Sequence, residues 1–134
     1  MAKVSFINPK EVAIPTGYTQ VVSAESPKRI MYISGQVSID QEGEVVGKGD
    51  LEAQTRQVYS NMLAILKSQG ATFKDVVKLN TYTTEPEKVA IVRKVRNEFV
   101  SAEAPPASTF IGVTALADPS FLVEVEAVAI IGDA

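Results

Sequence analysis

The sequence predicts a two-layer α+β sandwich, a mixed six-stranded sheet with two helices on one face. Three observations predict it. The elements run β-β-β-α-β-α-β-β along 134 residues. Each helical segment carries a single apolar stripe. The last strand carries an apolar row on one face. A chain of this length reads as one domain, residues 1–134, with no repeats, linkers or low-complexity segments.

The first strand is expected over 4–7 and ends at Asn8-Pro9, a turn signal. A β-rich run over 18–24 follows Pro15-Thr16-Gly17. Residues 29–33 alternate, with Ile30 and Tyr32 against Met31 and Ile33. Ser34-Gly35 interrupts that run before it resumes over 37–39. Asp40-Gln41-Glu42-Gly43 has hairpin-turn character, with 44–46 returning. Asp50 is the expected N-cap of the first helix, in which Leu51, Val58, Met62, Ile65 and Leu66 recur at helical spacing. Gly70 is its expected C′ stop. The strand over 75–83 is read with Val77, Leu79 and Thr81 on one face and Val76, Lys78, Asn80 and Tyr82 on the other. Thr84-Glu85-Pro86-Glu87 has the form of a capping box, and Val89, Val92, Val95 and Phe99 stripe the second helix. Residues 107–113 and 121–131 are the last strands.

Composition narrows the chemistry. The chain has neither cysteine nor histidine, which removes disulfides, thiolate nucleophiles, the commonest general base and the commonest zinc ligands. Catalysis is left to carboxylates, lysine, arginine, tyrosine, hydroxyls, backbone groups and water. A net charge of −3 argues against a nucleic-acid partner. The opening residues MAKVSFINPK hold no long apolar run, so no signal peptide or membrane span is expected and a cytoplasmic location is the default.

One feature of the last strand asks for a partner. Phe121, Val123, Val125, Ala127, Ala129 and Ile131 fit beneath the helices. The opposite face carries Leu122, Glu124, Glu126, Val128 and Ile130, which is half apolar. A sheet with one helix layer would expose that face, so self-association is expected to cover it.

The candidate functional groups each have a plain structural alternative. Gly35, between Ser34 and Gln36, either lets backbone approach a ligand or marks a β-bulge. Tyr18 either offers its hydroxyl to a ligand or is a half-buried residue with a wet tip. Glu124 is the better placed of two carboxylates to orient a water, whereas Glu126 is expected to pair with a cross-strand cation such as Lys78. Lys88, Arg93, Lys94 and Arg96 fall on no single stripe, with Glu87 and Glu98 among them, and read as a solvated helix surface. No phosphate loop, metal motif or serine-hydrolase elbow is present.

These pieces in this order resemble the reactive intermediate deaminase (Rid, or YjgF) family. The matching segments are Gly17-Tyr18 with Gln20-Val21-Val22, Ile33-Ser34-Gly35-Gln36, QTRQVYSNMLAIL over 54–66, and Gly70. They continue with Asp75-Val76-Val77-Lys78, Thr81-Tyr82, Phe99, Pro106-Ala107 and Val123-Glu124-Val125-Glu126-Ala127. The resemblance spans nearly the whole chain. It implies a chorismate-mutase-like subunit, three of which join their sheets into a homotrimeric barrel with the helices outside and ligand clefts between subunits. It also implies cofactor-independent hydrolysis of small enamines or imines such as 2-aminoacrylate, releasing ammonia and a 2-keto acid.

By the same resemblance, Glu124 and Tyr18 would be the catalytic residues, and Ser34 and Gly35 would line the cleft. Arg93 would stand near where the family has an asparagine, and either swings its guanidinium into the cleft from the helix to bind substrate or is an exposed helix charge. The family's Pro-Ala-Arg-Ser pattern reads Pro106-Ala107-Ser108-Thr109 here, so Ser108 stands where an arginine would grip the substrate carboxylate. Phe110 occupies the place of a frequent cysteine. Losing a buried charged contact costs on the order of 2–5 kcal/mol, roughly thirtyfold to several thousandfold in affinity. The usual 2-imino acids are therefore in question, and Ser108, Thr109 and Phe110 suit a neutral or differently shaped ligand. Three readings stand: an enamine or imine hydrolase, a trimer that holds a metabolite without turnover, and an endoribonuclease or translation inhibitor. The scattered basic residues and the missing histidine disfavour the third.

Overall fold

The computed structural model describes residues 3–132. Six strands and two helices are present: β1 (Lys3–Ile7), β2 (Val21–Glu25), β3 (Arg29–Gln36), α1 (Leu51–Ser68), β4 (Val76–Thr83), α2 (Val89–Arg96), β5 (Ala107–Gly112) and β6 (Val123–Ile131). They do not form one sheet of six. Four strands pair in the order β3-β6-β4-β5, while β1 and β2 form a separate antiparallel ribbon. The division falls at Ser26, a non-glycine residue at φ 54, followed by Pro27. The next amide, Lys28 N, donates to Ile131 O at 2.8 Å. The chain is thus tied to the end of β6 and β2 is turned away from β3.

The first helix forms as its sequence dictates. The Asp50 carboxylate accepts from Ala53 N at 3.1 Å, and Glu52 sits in the positive first turn. Gly70, at φ 74, terminates it beyond the Gln69 cap. Its inner face delivers Val58, Tyr59, Met62 and Leu66 to a core shared with Leu79, Val92, Val123, Val125, Ala127 and Ala129. The second helix is shorter than its stripe suggested. Pro86–Lys88 forms a 3₁₀ turn, Glu85 caps it with no side-chain bond, and the expected box at Thr84 does not close. A proline leading into the tighter turn displaces the cap geometry, and Lys88 instead reaches back to Glu85 at 2.8 Å. A true capping box does form at Thr72 and Asp75, just before β4.

The strand register differs from expectation at one point. The pairing of β4 with β6 shifts between Val76 and Lys78, so Val76 points into the core, 2% exposed, rather than out with Lys78. From Lys78 onward the alternation holds. Leu79, Thr81 and Thr83 face the helices, while Lys78, Asn80 and Tyr82 share the open face with Glu124, Glu126 and Val128. Tyr32 and Ile30, paired with Val128 and Ile130, extend that face in apolar form and are 81% and 52% exposed.

The helix layer is also clipped together by charge. Arg56 on α1 makes a two-pronged contact with Glu98, just beyond α2, at 2.6 and 3.1 Å. The hydrogen bond from Arg56 holds Glu98 below its ordinary value of 4.5, reinforced by the charges of Arg56 and Lys94 and opposed by partial burial. A carboxyl shifted down contributes stability above its unfolded pKa and loses it as pH falls through the folded one. Glu98→Gln should therefore lower the melting temperature at neutral pH, and the gap from wild type should close as the pH is taken below 4.5. A gap independent of pH would show that charge pairing is not its source.

Candidate functional site

The register places the candidate residues on two faces of one sheet. In β5, Ser108 and Phe110 align with Leu79 and Thr81 and face the helices, whereas Thr109 aligns with Asn80 on the open side. Tyr18 reaches Ser108 because its loop is stitched to the segment before β5. Thr19 N donates to Pro106 O at 3.2 Å, and the Thr19 hydroxyl donates to Pro105 O. Upstream, Gln20 N donates to Asn8 Oδ1 at 2.8 Å. The result is a cavity of about 130 Å³ whose walls include Tyr18, Tyr59, Thr81, Arg96, Ser108 and Phe110.

Two arginines meet this cavity. Arg93 is exposed at its rim. Arg96 is half-buried, and burial pushes its pKa down, with the like charge of Arg93 acting in the same direction and the Tyr59 phenol opposing. Arg96 is therefore not part of a solvated helix surface, as charge interleaving suggested. A signal for it lay in the spacing. Arg96 is four residues after Val92 and three before Phe99, on the apolar stripe itself. Tyr59 is missed for a different reason, because its position fits the core stripe of α1. It stacks on Phe99 at 5.4 Å and tilts against Phe73 at 5.7 Å, which fixes its ring. Its hydroxyl is buried without a hydrogen-bond partner, and burial raises its pKa, so it stays protonated.

The open face holds the other candidates. Glu124 lies against Gly35, where an added side chain would have to displace the carboxylate. A Cβ built on Gly35 would stand 1.9 Å from Glu124 Oε2. The β3–β6 register also shifts between Ile33 and Gln36, so the bulge expected at Ser34-Gly35 is present, and the group that approaches Gly35 is the Glu124 side chain. The two glutamates have different partners from those expected. Glu126 accepts from Asn80 Nδ2 at 3.0 Å and Tyr82 Oη at 2.8 Å rather than from Lys78, which donates to Thr109 Oγ1 at 2.8 Å. The Glu126 hydrogen bond, then burial and the two carboxylate charges, raise the Tyr82 pKa. Glu124 has no hydrogen-bond or ion-pair partner among the described residues. A groove of about 310 Å³ on the same face runs past Tyr32, Ser34, Lys78, Asn80 and Glu126, and Glu124 does not line it.

One chain therefore brings Tyr18, Arg93, Ser108 and Phe110 together, and separately Ser34, Gly35 and Glu124. It does not bring the two groups into one pocket. Among the described residues no cluster of three or more acidic groups could hold a metal ion, and no helix is long and apolar enough to cross a membrane.

Substituting Gly35→Ala should drive the Glu124 carboxylate off β3 while the surrounding strands keep their register. A crystal structure of the variant checks this, and an unmoved Glu124 side chain would contradict it.

Comparison with known proteins places the chain among relatives. A family model described as Endoribonuclease L-PSP matches residues 10–131. A RutC family protein of Pyrococcus horikoshii is 36% identical over 113 residues, 84% of this chain and 85% of that protein. The crystal structure of YyfB from Yersinia pestis, a protein of unknown function in the conserved Rid family, superposes with a TM-score of 0.84 at 38% identity, covering 97% of this chain and 98% of that one. RidA from the Antarctic bacterium Psychrobacter sp. superposes with a TM-score of 0.70 at 30% identity, over 95% and 99% of the two chains.

Proposed function

Because the chain belongs to the YjgF/Rid family, whose sequence model carries the description Endoribonuclease L-PSP, we propose that it is a cofactor-independent hydrolase of a small enamine or imine. The reaction takes place at a cleft completed by a second copy of the chain. The observation that carries this reading is Glu124, a carboxylate with no partner among the described residues, held against the Gly35 backbone while its neighbour Glu126 accepts two hydrogen bonds on one oxygen.

An imine carbon is already electrophilic. A carboxylate that orients a water and takes its proton, with a phenol to hold the substrate, is enough to form the carbinolamine, from which ammonia departs to leave a carbonyl. Histidine and cysteine are not required. Glu124 serves as the base and Tyr18 as the hydrogen-bonding phenol, with Ser34, Gly35, Thr109 and Phe110 shaping the cleft. Ser108 supplies a hydroxyl where the family resemblance implies a guanidinium, so any substrate carboxylate has to be held from elsewhere.

The division of the candidates between two faces supports the need for a second copy. In the proposed homotrimer the open faces turn inward, covering Ile30, Tyr32 and Val128, and Tyr18 and Ser108 of one protomer approach Glu124 and Ser34 of the next. The endoribonuclease reading rests on the family description and on the names of similar structures, among them a putative endoribonuclease of Thermotoga maritima. The net charge of −3 disfavours a phosphate backbone, and Arg56, Lys88 and Lys94 are each engaged with a carboxylate on this chain.

Ammonia release from enzymatically generated 2-aminoacrylate tests the chemistry. Wild type should exceed the spontaneous rate, and Glu124→Gln should lose on the order of a hundredfold or more in kcat. If neither wild type nor Ser108→Arg exceeds buffer while an active family member does, this substrate class is wrong. Sedimentation at micromolar concentration should return three times the chain mass of 14.4 kDa. A stable single-chain species would remove the proposed cleft.

A further inference from the structure

The helix-face cavity contains two polar groups with no partner for their chemistry. Arg96 is half-buried, and its contacts within the described residues are long ones to the side chain of its neighbour Asn97, at 3.3 and 3.4 Å. Among the described residues it makes no ion pair, although Arg56, Lys88 and Lys94 all do. Tyr59 is 1% exposed, and its hydroxyl makes no hydrogen bond of good geometry, with the Thr81 hydroxyl beside it. A buried phenol left unpaired costs free energy, as does a desolvated guanidinium without an anion. Both line the same space, together with the Thr81 and Ser108 hydroxyls.

The loop above them is built to let Arg96 in. Gly17 adopts φ 78, a region that favours glycine, and a Cβ there would come within 2.8 Å of Arg96 Nη2. From the other side, the Tyr59 ring is clamped by Phe73 and Phe99, so its hydroxyl cannot swing out to find water. The cavity, at about 130 Å³, is the size of a ligand with a handful of heavy atoms.

We infer that Arg96 and Tyr59, with Ser108, form the anion-holding subsite of this protein, and that its occupant is a small monocarboxylate. Arg96 offers a planar fork of N–H donors that matches a carboxylate, Tyr59 adds a hydroxyl donor, and Ser108 completes the contact from β5. A bulky side chain at position 108 would fill the space in front of Arg96, so the serine and the helix-borne arginine belong together. This deepens the reading above, on which it rests for the identity of the bound molecule as substrate. It relocates the positive charge from the strand to the helix.

Binding, measured apart from turnover, tests it. Isothermal titration or ligand-detected NMR would use 2-oxobutyrate as the probe, with 2-oxobutyramide as its neutral counterpart and inorganic phosphate as a second anion. Wild type should bind 2-oxobutyrate and discriminate strongly against the amide. Arg96→Gln should weaken binding on the order of thirtyfold or more, and Tyr59→Phe severalfold. Arg96→Lys should retain part of the affinity, which guards against a folding defect in Arg96→Gln, and circular dichroism checks each variant. Lys67→Gln, on the exposed side of α1, controls for net charge and should change nothing.

The inference fails if wild type does not bind 2-oxobutyrate at tens of millimolar, if Arg96→Gln binds as well as wild type, or if the amide binds equally. Phosphate binding as tightly as 2-oxobutyrate, with the same dependence on Arg96, would overturn the monocarboxylate assignment and leave a general anion hole. Carboxylate binding that depends on Arg96, without any ammonia release from 2-aminoacrylate, would sink the hydrolase and keep the subsite. Ammonia release undiminished in Arg96→Gln would do the reverse.

Discussion

Strand β6 is the element on which both halves of the molecule depend. It lies between β3 and β4, and its two faces have opposite chemistry. Val123, Val125, Ala127 and Ala129 anchor the helices, while Glu124 and Glu126 stand on the other side. Period-two geometry makes this division absolute, since a slip of one residue would bury two carboxylates and expose the core. The buried valines therefore fix the position of Glu124 as firmly as any direct contact does. The close approach at Gly35 adds to that, because the bulge in β3 leaves room for the carboxylate only while β6 keeps its register.

The two glutamates illustrate how local partners separate function from structure. Both are carboxylates on one strand, two residues apart. Glu126 is absorbed by Asn80 and Tyr82, and its role is to knit β6 to β4 across the open face. Glu124 is directly opposite Tyr82 in the register, yet the Tyr82 hydroxyl goes to Glu126 instead. The helix-face cavity repeats the contrast with cations. Arg56 is spent in a fork on Glu98, while Arg96 is carried inward on the apolar stripe and finds only a phenol and its neighbouring amide.

Most of the architecture could be read from periodicity and punctuation. Asp50 and Gly70 bracket α1 as their chemistry requires, and the alternation of 123–131 assigns the core face correctly. What escaped the sequence depended on tertiary placement. A six-strand pattern cannot reveal that the bend at Ser26 and Pro27 divides the sheet. Thr84 to Glu87 matches a capping pattern, but the 3₁₀ turn at Pro86 uses other geometry. Of the candidate site, the resemblance pointed to Tyr18, Ser34, Gly35, Ser108 and Glu124, and position along the chain alone could not say that they occupy two faces. Arg96 and Tyr59 were hidden by opposite biases. An arginine among charges is read as surface, and a tyrosine in an apolar stripe is read as packing.

The four-stranded sheet ends at β3, and that edge carries a consequence for the nascent chain. With β2 turned away, β3 has β6 as its one strand neighbour among the described residues, so half of its amides and carbonyls face outward beside Ile30 and Tyr32. Edges of this kind recruit other strands indiscriminately unless something interrupts them. Arg29 at the start of β3 and the irregularity at Ser34 shorten the adhesive length to a few residues. A strand approaching that margin during synthesis therefore finds only a short run of backbone to grip.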